Sequence, residues 1–577
     1  MLIALTRSKG EVVGRDELVE SCWDGRFVSD DVINRAVLLI RGLAERSGGF
    51  AIETVPRAGY RLVEMPLERH RAFPIRATAA GIGLVALAGV ALWLSQPDHQ
   101  DEPPMPTIAL LPVSSVTPDQ ATRELATATR DSLGHTLAES GFPVKLVQAA
   151  SVGAGAPDLI ISGDIRDGRS SATATIRVEE AKHRAVVYSR QFQASGKDLK
   201  LLPERIGAQV AAVLAWTGAL MVLDHRHPSN PADTLEQLRQ MALVIEGGDP
   251  LGAYEISRRT APREPNSAIA QLGLAFNTGF ALGELPRNQR TDAVAVARAA
   301  SERAQQLAPE FGDVYIPWCI LHSMVNTAEC EDRLRAAMRK DTDAPFVMYF
   351  LSAVVASAGR QAEALDLARQ SLVNDRYKVW AIARAVRTLE ARGRTSEAEA
   401  LFAQGSSWWP DSLVLVWSRR EGMLARGDFE AMERFEREPG SKVLGTDRTP
   451  SALVAAVREG NAAAAKRICK GSAPLKACMV ALGKLGDTDD AIAIAGQLYP
   501  DLRGRTEAEE DRIWLDHPTV LPLDLLSSDS VAPLRRDPRF LAVAQRVGLL
   551  SYWRKGRLPD FCTVRREPVC NLIKDGR

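Results

Sequence analysis

The stretch ATAAGIGLVALAGVALWLS occupies residues 77–95, and no charged side chain occurs between Ala77 and Pro97. As a helix it is long and apolar enough to cross about 30 Å of hydrocarbon. No second stretch reads this way, so the chain is expected to divide into a short segment before one membrane span and a long one after it. Arg57, Arg61, Arg69, Arg71 and Arg76 precede the span, whereas Asp98, Asp101 and Glu102 follow it and the next basic residue is Arg123. Basic residues are retained on the cytoplasmic side, which places the N-terminus in the cytoplasm and the C-terminus outside it. A cleaved signal peptide carries its apolar core within about the first 15 to 30 residues, so that alternative requires initiation at Met65. The span also contains Gly81-Ile-Gly83-Leu-Val-Ala86, a loose match to a dinucleotide-binding loop, but no strand precedes it and no polar helix follows.

The composition agrees with several folded domains. With 577 residues, 46% of them apolar and 6% aromatic, the chain is neither disordered nor collagen-like nor polytopic. Its 72 basic and 72 acidic residues cancel, which excludes attraction of the whole chain to nucleic acid or acidic membranes. Any such contact must come from a local basic surface. Of seven cysteines, Cys22 precedes the span and six follow it, in the sequence-near pairs Cys319/Cys330, Cys469/Cys478 and Cys562/Cys570, 11, 9 and 8 positions apart. In an oxidising periplasm three short-loop disulfides are the simplest arrangement, each stabilising by roughly 3 kcal/mol. Six buried thiols in a cytosolic chain are the alternative.

Before the span, residues 15–23 (RDELVESCW) have the spacing of a short amphipathic helix and residues 25–28 read as a turn. Ser29 is the expected N-cap of a second helix, with Asp30 and Asp31 in its first turn. There Ile33, Val37, Ile40 and Ala44 form an inward stripe, while Asn34, Arg35, Leu38 and Arg41 are expected to project outward. Residues 51–55 and 60–63 read as two short strands around Pro56-Arg57-Ala58-Gly59, with Gly59 available for a positive φ. The pattern is a helix-turn-helix followed by a β wing, with an outward face suited to a major groove.

The segments GEVVGRDELVESCW, RFVSDDVINRAVLLIRGL and FAIETVPRAGYRLVE together resemble the OmpR-type winged-helix DNA-binding domain, a phosphorelay-type output domain. With a single span behind it, the chain resembles the ToxR/CadC-like regulators. The resemblance implies transcription control from a bacterial inner membrane, with a recognition helix over residues 30–46. It implies DNA contacts from Asn34, Arg35 and Arg41 in that helix and from Thr54, Arg57 and Arg61 in the wing. Arginine suits guanine edges or phosphates, and asparagine suits adenine. The sheet that precedes the first helix in that family has no counterpart before MLIALTRSKGEVV, so the domain is expected to be partial, truncated at its N-terminus. Nine Lys/Arg against ten Asp/Glu over residues 1–64 leave one copy little nonspecific attraction for DNA, so a homodimer is expected. Ala79-x-x-x-Gly83 would assist pairing of the span.

After a basic juxtamembrane linker (65–76), the span and an acidic, Pro-rich linker (96–106), residues 107–217 mix strands and helices. TIALLPV, a helix over about 118–140, PVKLVQ, DLIISGDI, ATATIRV, AVVYSRQFQA and a helix over 198–216 predict a small α/β domain. IALLPV and LIISGDIRDG resemble the TolB-N type, which implies a docking module. Residues 231–577 read as helix after helix. Gly359, Gly393 and Gly427 are 34 residues apart and Gly460 follows after 33, the tetratricopeptide period. Each glycine is expected to separate two antiparallel helices, with Ala362, Ala364, Ala398 and Ala400 allowing close packing and Pro410 marking a unit end. Stacked units predict a helical solenoid whose concave surface takes a protein or peptide partner, closed by a cap from Leu534 onward.

Neither HExxH nor GxSxG nor a P-loop occurs, and no catalytic set, cofactor or metal is expected. Asp224-His225-Arg226-His227 is the best metal-like cluster, expected to be a solvated linker, and Trp408-Trp409, which could line a ligand groove, is expected to be core. The expected fold is multidomain and mainly α: a partial winged helix (1–64), one transmembrane helix (77–95), a small α/β domain (107–217) and a tetratricopeptide-like solenoid (231–577). The expected function is a membrane-anchored, one-component transcription regulator that binds promoter DNA and senses a periplasmic signal or partner. The alternative is an envelope interaction scaffold whose winged helix no longer binds DNA.

Overall fold

The computed structural model describes residues 2–8, 10–14, 50–55, 59–64, 105–148, 157–167, 170–228, 234–240, 249–322, 326–341, 344–444, 448–471, 473–501 and 523–575, with single positions 17, 18, 21, 37, 40 and 509. The chain divides into two units, Met1–Gln100 and Asp101–Arg577. The apolar stretch 77–95 lies outside the described residues.

In the first unit, α1 (Leu2–Arg7) accompanies an antiparallel hairpin of β1 (Phe50–Val55) and β2 (Gly59–Glu64). Leu5, Val13, Leu18, Val37, Ile40, Ile52, Tyr60 and Leu62 bury themselves against one another. Val37 and Ile40 therefore face inward, as their spacing predicts.

The second unit is mainly helical and begins with a sheet. Its strands are β3 (Ile108–Ser115), β4 (Val144–Leu146), β5 (Leu159–Arg166), β6 (Ser171–Glu180) and β7 (Ala185–Ser195). Their order is β4-β3-β5-β6-β7. The first three are parallel, because α2 (Gln120–Glu139) makes the crossover from β3 to β4, and β5, β6 and β7 form an antiparallel meander. Asp119 caps α2, its carboxylate accepting from Thr122 N at 3.0 Å.

The helix expected to end at Trp216 runs on as α3 (Leu202–Arg226), so the boundary drawn at residue 217 falls inside it. The reason is apolar residues around the whole circumference, from Ile206 to Leu223, which leave no face for water. Trp216 reaches Phe276 (5.6 Å between ring centroids) and the edge of Phe346 (3.8 Å), and one continuous core extends from Ile108 to Leu415. Among the described residues this is the one helix long and apolar enough to cross a membrane, counted over residues 196–226. The sequence reading missed it as a second such stretch. With 78% of its most apolar window buried, protein rather than lipid surrounds it. Asp224 and His225 are its last turn rather than a linker: Asp224 accepts from Thr234 Oγ1 at 3.0 Å, and His227, just beyond, meets Glu310 at 2.7 Å.

Helices then follow in succession: α4 (Pro250–Thr260), α5 (Ala268–Ala281), α6 (Arg287–Leu307), α7 (Ile316–Leu321), α8 (Thr327–Lys340), α9 (Pro345–Ser357), α10 (Gln361–Asn374), α11 (Val379–Ala391), α12 (Thr395–Trp408), α13 (Leu413–Arg426), α14 (Phe429–Arg437), α15 (Ser451–Arg458), α16 (Ala462–Cys469), α17 (Leu475–Lys484) and α18 (Thr488–Leu498). Gly359, Gly393, Gly427 and Gly460 stand between consecutive helices at φ of +87°, +72°, +74° and +68°. In each case the next residue's N–H returns to a carbonyl five residues back, as from Arg360 to Val355 and from Asn461 to Ala456. This is the Schellman closure, which needs a left-handed residue and so favours glycine. Gly486 repeats it (φ +81°; Asp487 N to Leu482 O, 2.9 Å). Its offset of 26 from Gly460 hides it from a search for a 34-residue period. Disulfides join Cys319 to Cys330, Cys469 to Cys478 and Cys562 to Cys570.

The C-terminal segment, α19 (Leu523–Ser527), α20 (Arg539–Arg546), α21 (Leu549–Arg554), α22 (Asp560–Thr563) and α23 (Val569–Asp575), does more than close the last pair. Arg539 meets Asp489 at 2.6 Å, but Trp553 Nε1 donates to Ala358 O (2.9 Å) and Asp560 N to Gly359 O (2.9 Å). The segment thus runs back from α18 to α8–α10 and shares a second core with α13–α18. Its anchor is Glu331, 2% exposed. That carboxylate accepts from Arg335 Nε (2.7 Å), Arg360 Nη1 (2.8 Å) and the Tyr552 hydroxyl (2.5 Å). A second buried charge cluster sits at α9 and α11. Lys378 lies 3.6 Å from Asp375 and 3.5 Å over the Phe346 ring, with Asp313 buried beside it.

Candidate nucleic-acid interface

The wing is built by alternation. Along β1 and β2, Ile52 and Leu62 are buried, whereas Glu53 and Val63 are exposed, so the hairpin presents one face to the core and one to solvent. Val13 forms a single antiparallel bridge to the outer edge of β2: its N–H donates to Tyr60 O (2.9 Å), and Tyr60 N donates to Val13 O (3.0 Å). This crossing explains Gly59. Its φ is +149°, and a Cβ there would stand 2.0 Å from Val13 O, so backbone approach excludes every side chain. The sequence identified the positive φ but not the neighbour that demands it.

Arg61, expected on the wing, is half-exposed and placed directly opposite Glu53 in the ladder. Its Nε donates to Glu53 Oε2 at 2.8 Å, and Nη2 lies 2.7 Å from the same oxygen. Strands at 51–55 and 60–63, as read from the sequence, would set Arg61 opposite Thr54; β2 instead begins one residue earlier, at Gly59, which brings Arg61 opposite Glu53. Such an exposed pair stabilises by less than about 1 kcal/mol, yet it neutralises a cation that a phosphate would otherwise meet. Glu53→Gln is therefore expected to raise DNA affinity roughly threefold at low salt and to steepen its salt dependence. Fluorescence-anisotropy titration of the full chain in detergent against a promoter fragment measures both. Unchanged affinity and slope would show that Arg61 stays off the phosphates.

Thr54 lies in β1 opposite Tyr60. Asn34, Arg35, Arg41 and Arg57 lie outside the described residues. Val37 and Ile40, on the inward stripe of the same predicted helix, are both buried. The structure thus places Arg61 and Thr54 on the hairpin and describes two inward positions, Val37 and Ile40, of the segment predicted to carry Asn34, Arg35 and Arg41. No group of three His, Cys, Asp or Glu side chains arranged to hold a metal ion occurs among the described residues.

Residues 1–62 match the family model described as "Transcriptional regulatory protein, C terminal". The match covers α1, the buried positions of the intervening segment and all but the last two residues of the hairpin, and it supports a DNA-binding role in transcription regulation. No curated protein matches the chain.

Proposed function

We propose that this chain is a membrane-anchored, one-component transcription regulator. The observation that carries the reading is the wing: a two-stranded hairpin, bridged at Tyr60 by Val13, over a core shared with Val37 and Ile40, within the matched residues 1–62. In this reading residues 30–46 form the recognition helix. By the 3.6-residue period Arg35 stands opposite the buried Val37/Ile40 stripe, and Asn34 and Arg41 fall together on one side between the two. Thr54, Arg57 and Arg61 serve the wing. The apolar stretch 77–95 spans the inner membrane, with residues 1–76 in the cytoplasm and the second unit in the periplasm. Support for that side comes from the six cysteines after the stretch, joined in three local disulfides, since such bonds persist in oxidising compartments.

The second unit is the sensing part, with tetratricopeptide-like hairpins whose support is the repeated left-handed glycine closure at a 34-residue spacing. A periplasmic signal or partner changes the pairing of two copies. Two weakly binding output domains held together then gain about 100-fold or more in avidity on a repeated site. The test is crosslinking immunoprecipitation of the chromosomally encoded protein, tagged at its C-terminus, with sequencing of the recovered DNA. Discrete promoters are expected, lost in Arg35→Ala and in Arg41→Ala at equal protein level. A protein present in the membrane that enriches no promoter, or one indifferent to both substitutions, would favour the envelope-scaffold reading.

A further inference from the structure

Strand β7 ends the sheet, and among the described residues its ladder partner is β6. Arg239 covers its beginning, Nε donating to Val186 O at 2.7 Å. Farther along, residues 190–193 form one wall of a cavity of about 740 Å³. Three indoles line the same cavity, Trp380 from α11, Trp409 just after α12 and Trp417 from α13. Arg205 and Gln209, one turn apart on α3, complete the lining.

Two features of α3 point to a ligand. Gln209 is 2% exposed; its Nε2 donates to Trp408 O at 2.5 Å, but its side-chain carbonyl has no hydrogen-bond partner among the described residues. A buried acceptor left in this state calls for an N–H or O–H from outside the chain. Arg205 spends one donor, Nε, on Ser407 O at 3.2 Å. A neutral carbonyl leaves the positive charge uncompensated, and no carboxylate pairs with Arg205 among the described residues. The cavity lining carries a single acid, Asp411, against Arg190 and Arg205.

We propose that this cleft between β7 and α11–α13 binds the extended, carboxylate-ending tail of a peptide, which adds a strand to β7. Each wall then has a use. The edge strand supplies main-chain donors and acceptors over about 10 Å, enough for three or four residues at about 3.3 Å each. The indoles take alternate apolar side chains. Gln209 accepts a peptide N–H, and Arg205 holds the terminal carboxylate. A neutral sugar would leave the Arg205 charge unmatched, and a small anion would leave the edge strand and the tryptophans uncovered. The proposal rests on the functional reading only in taking the second unit as the sensing part.

The experiment measures binding without DNA, so its failure is separable from failure of the DNA-binding reading. The purified full chain in detergent is applied to an array of random seven-residue peptides anchored by their N-termini, each present with a free C-terminal carboxylate and with a carboxamide. A subset of carboxylate-ended peptides is expected to retain the protein, with binding about tenfold weaker for the carboxamides. Arg205→Gln is expected to weaken retention about tenfold as well, and Arg205→Lys to restore part of it. In a retained peptide, N-methylation should abolish binding at alternate residues and be tolerated at those between, as strand pairing requires. Leu413→Glu alters a half-exposed rim position. It leaves the core intact and should repel the same peptides, so the test stands even where an Arg205 variant fails to fold. Retention of no peptide, equal retention of both chain ends, or indifference to both Arg205→Gln and Leu413→Glu would overturn the proposal.

Discussion

Replacing Glu331 by alanine is expected to destabilise the second unit by about 3 kcal/mol, read as a lower urea midpoint for the purified chain. The carboxylate is almost fully buried and holds three elements at once: Arg335 on its own helix, Arg360 at the turn between α9 and α10, and Tyr552 from the returning C-terminal segment. Removing it leaves the Tyr552 hydroxyl and three guanidiniums, those of Arg335, Arg360 and Arg557, short of an acceptor. Glu363 still pairs with Arg335 and Arg360, and Arg335 is one-third exposed, which keeps the loss below that of an isolated buried ion pair. Burial by itself raises the pKa of Glu331, but hydrogen bonds from Tyr552, Arg335 and Arg360 outweigh it and hold the carboxyl below its usual value. A depressed folded-state pKa stabilises above the unfolded value of about 4.3 and is lost as pH falls through the folded one. The variant's deficit should therefore shrink on acidification below about pH 4. A constant deficit from pH 7 to pH 3 would mean that the side chain matters for packing alone.

Lys378→Met is expected to cost about as much at pH 8 and clearly less at pH 5. Lys378 is 4% exposed and is the cation facing two buried carboxyls, with Asp375 3.6 Å away and Asp313 close enough to interact. Burial, reinforced by Asp341 and opposed by Lys378, pushes Asp313 up to about 7. Burial likewise raises Asp375 and lowers Lys378. Raised folded-state pKa values mean that the folded chain holds these protons more tightly than the unfolded one. Stability from the carboxyls is greatest in acid and declines as pH rises from about 4 through 7. Without the ammonium the carboxyls take protons more readily still, which spares the variant at pH 5 but leaves uncompensated charge at pH 8. Urea midpoints at the two pH values decide it; equal losses would show that the charges are already neutral together.

What the sequence revealed depended on the range of the interaction. Strands with period 2 and helix ends marked by Gly359, Gly393, Gly427 and Gly460 are local signals, and the structure places each glycine in a left-handed turn between helices. The inward stripe of Val37 and Ile40 was legible for the same reason. The end of α3 was not, because nothing in the run from Ile206 to Leu223 changes its apolar character where the sheet's neighbours give way to Phe276 and Phe346. Trp408-Trp409 shows how a pair can divide. Both are buried, but Trp408 Nε1 donates to Glu204 while Trp409, its own Nε1 bonded to Tyr377 O, also lines the cleft. That cleft draws on residues from Arg190 to Trp417, and no spacing rule links them. The Glu53–Arg61 pair was missed at short range: the strand bounds read from the sequence are one residue off at Gly59, and that single step changes the partner of Arg61 from Thr54 to Glu53.

The return of the C-terminal segment also sets an order of events during synthesis. Tyr552 lies 221 positions after the Glu331 it binds, and at about 5–20 residues per second the ribosome takes on the order of ten seconds or more to supply it. Through that interval the hairpins can form one by one from local contacts, while a buried acid waits for its hydroxyl and the core for Trp553, Phe561 and Ile573. A nonsense codon between α18 and Tyr552 would release a chain that carries the earlier hairpins and an unclosed second core.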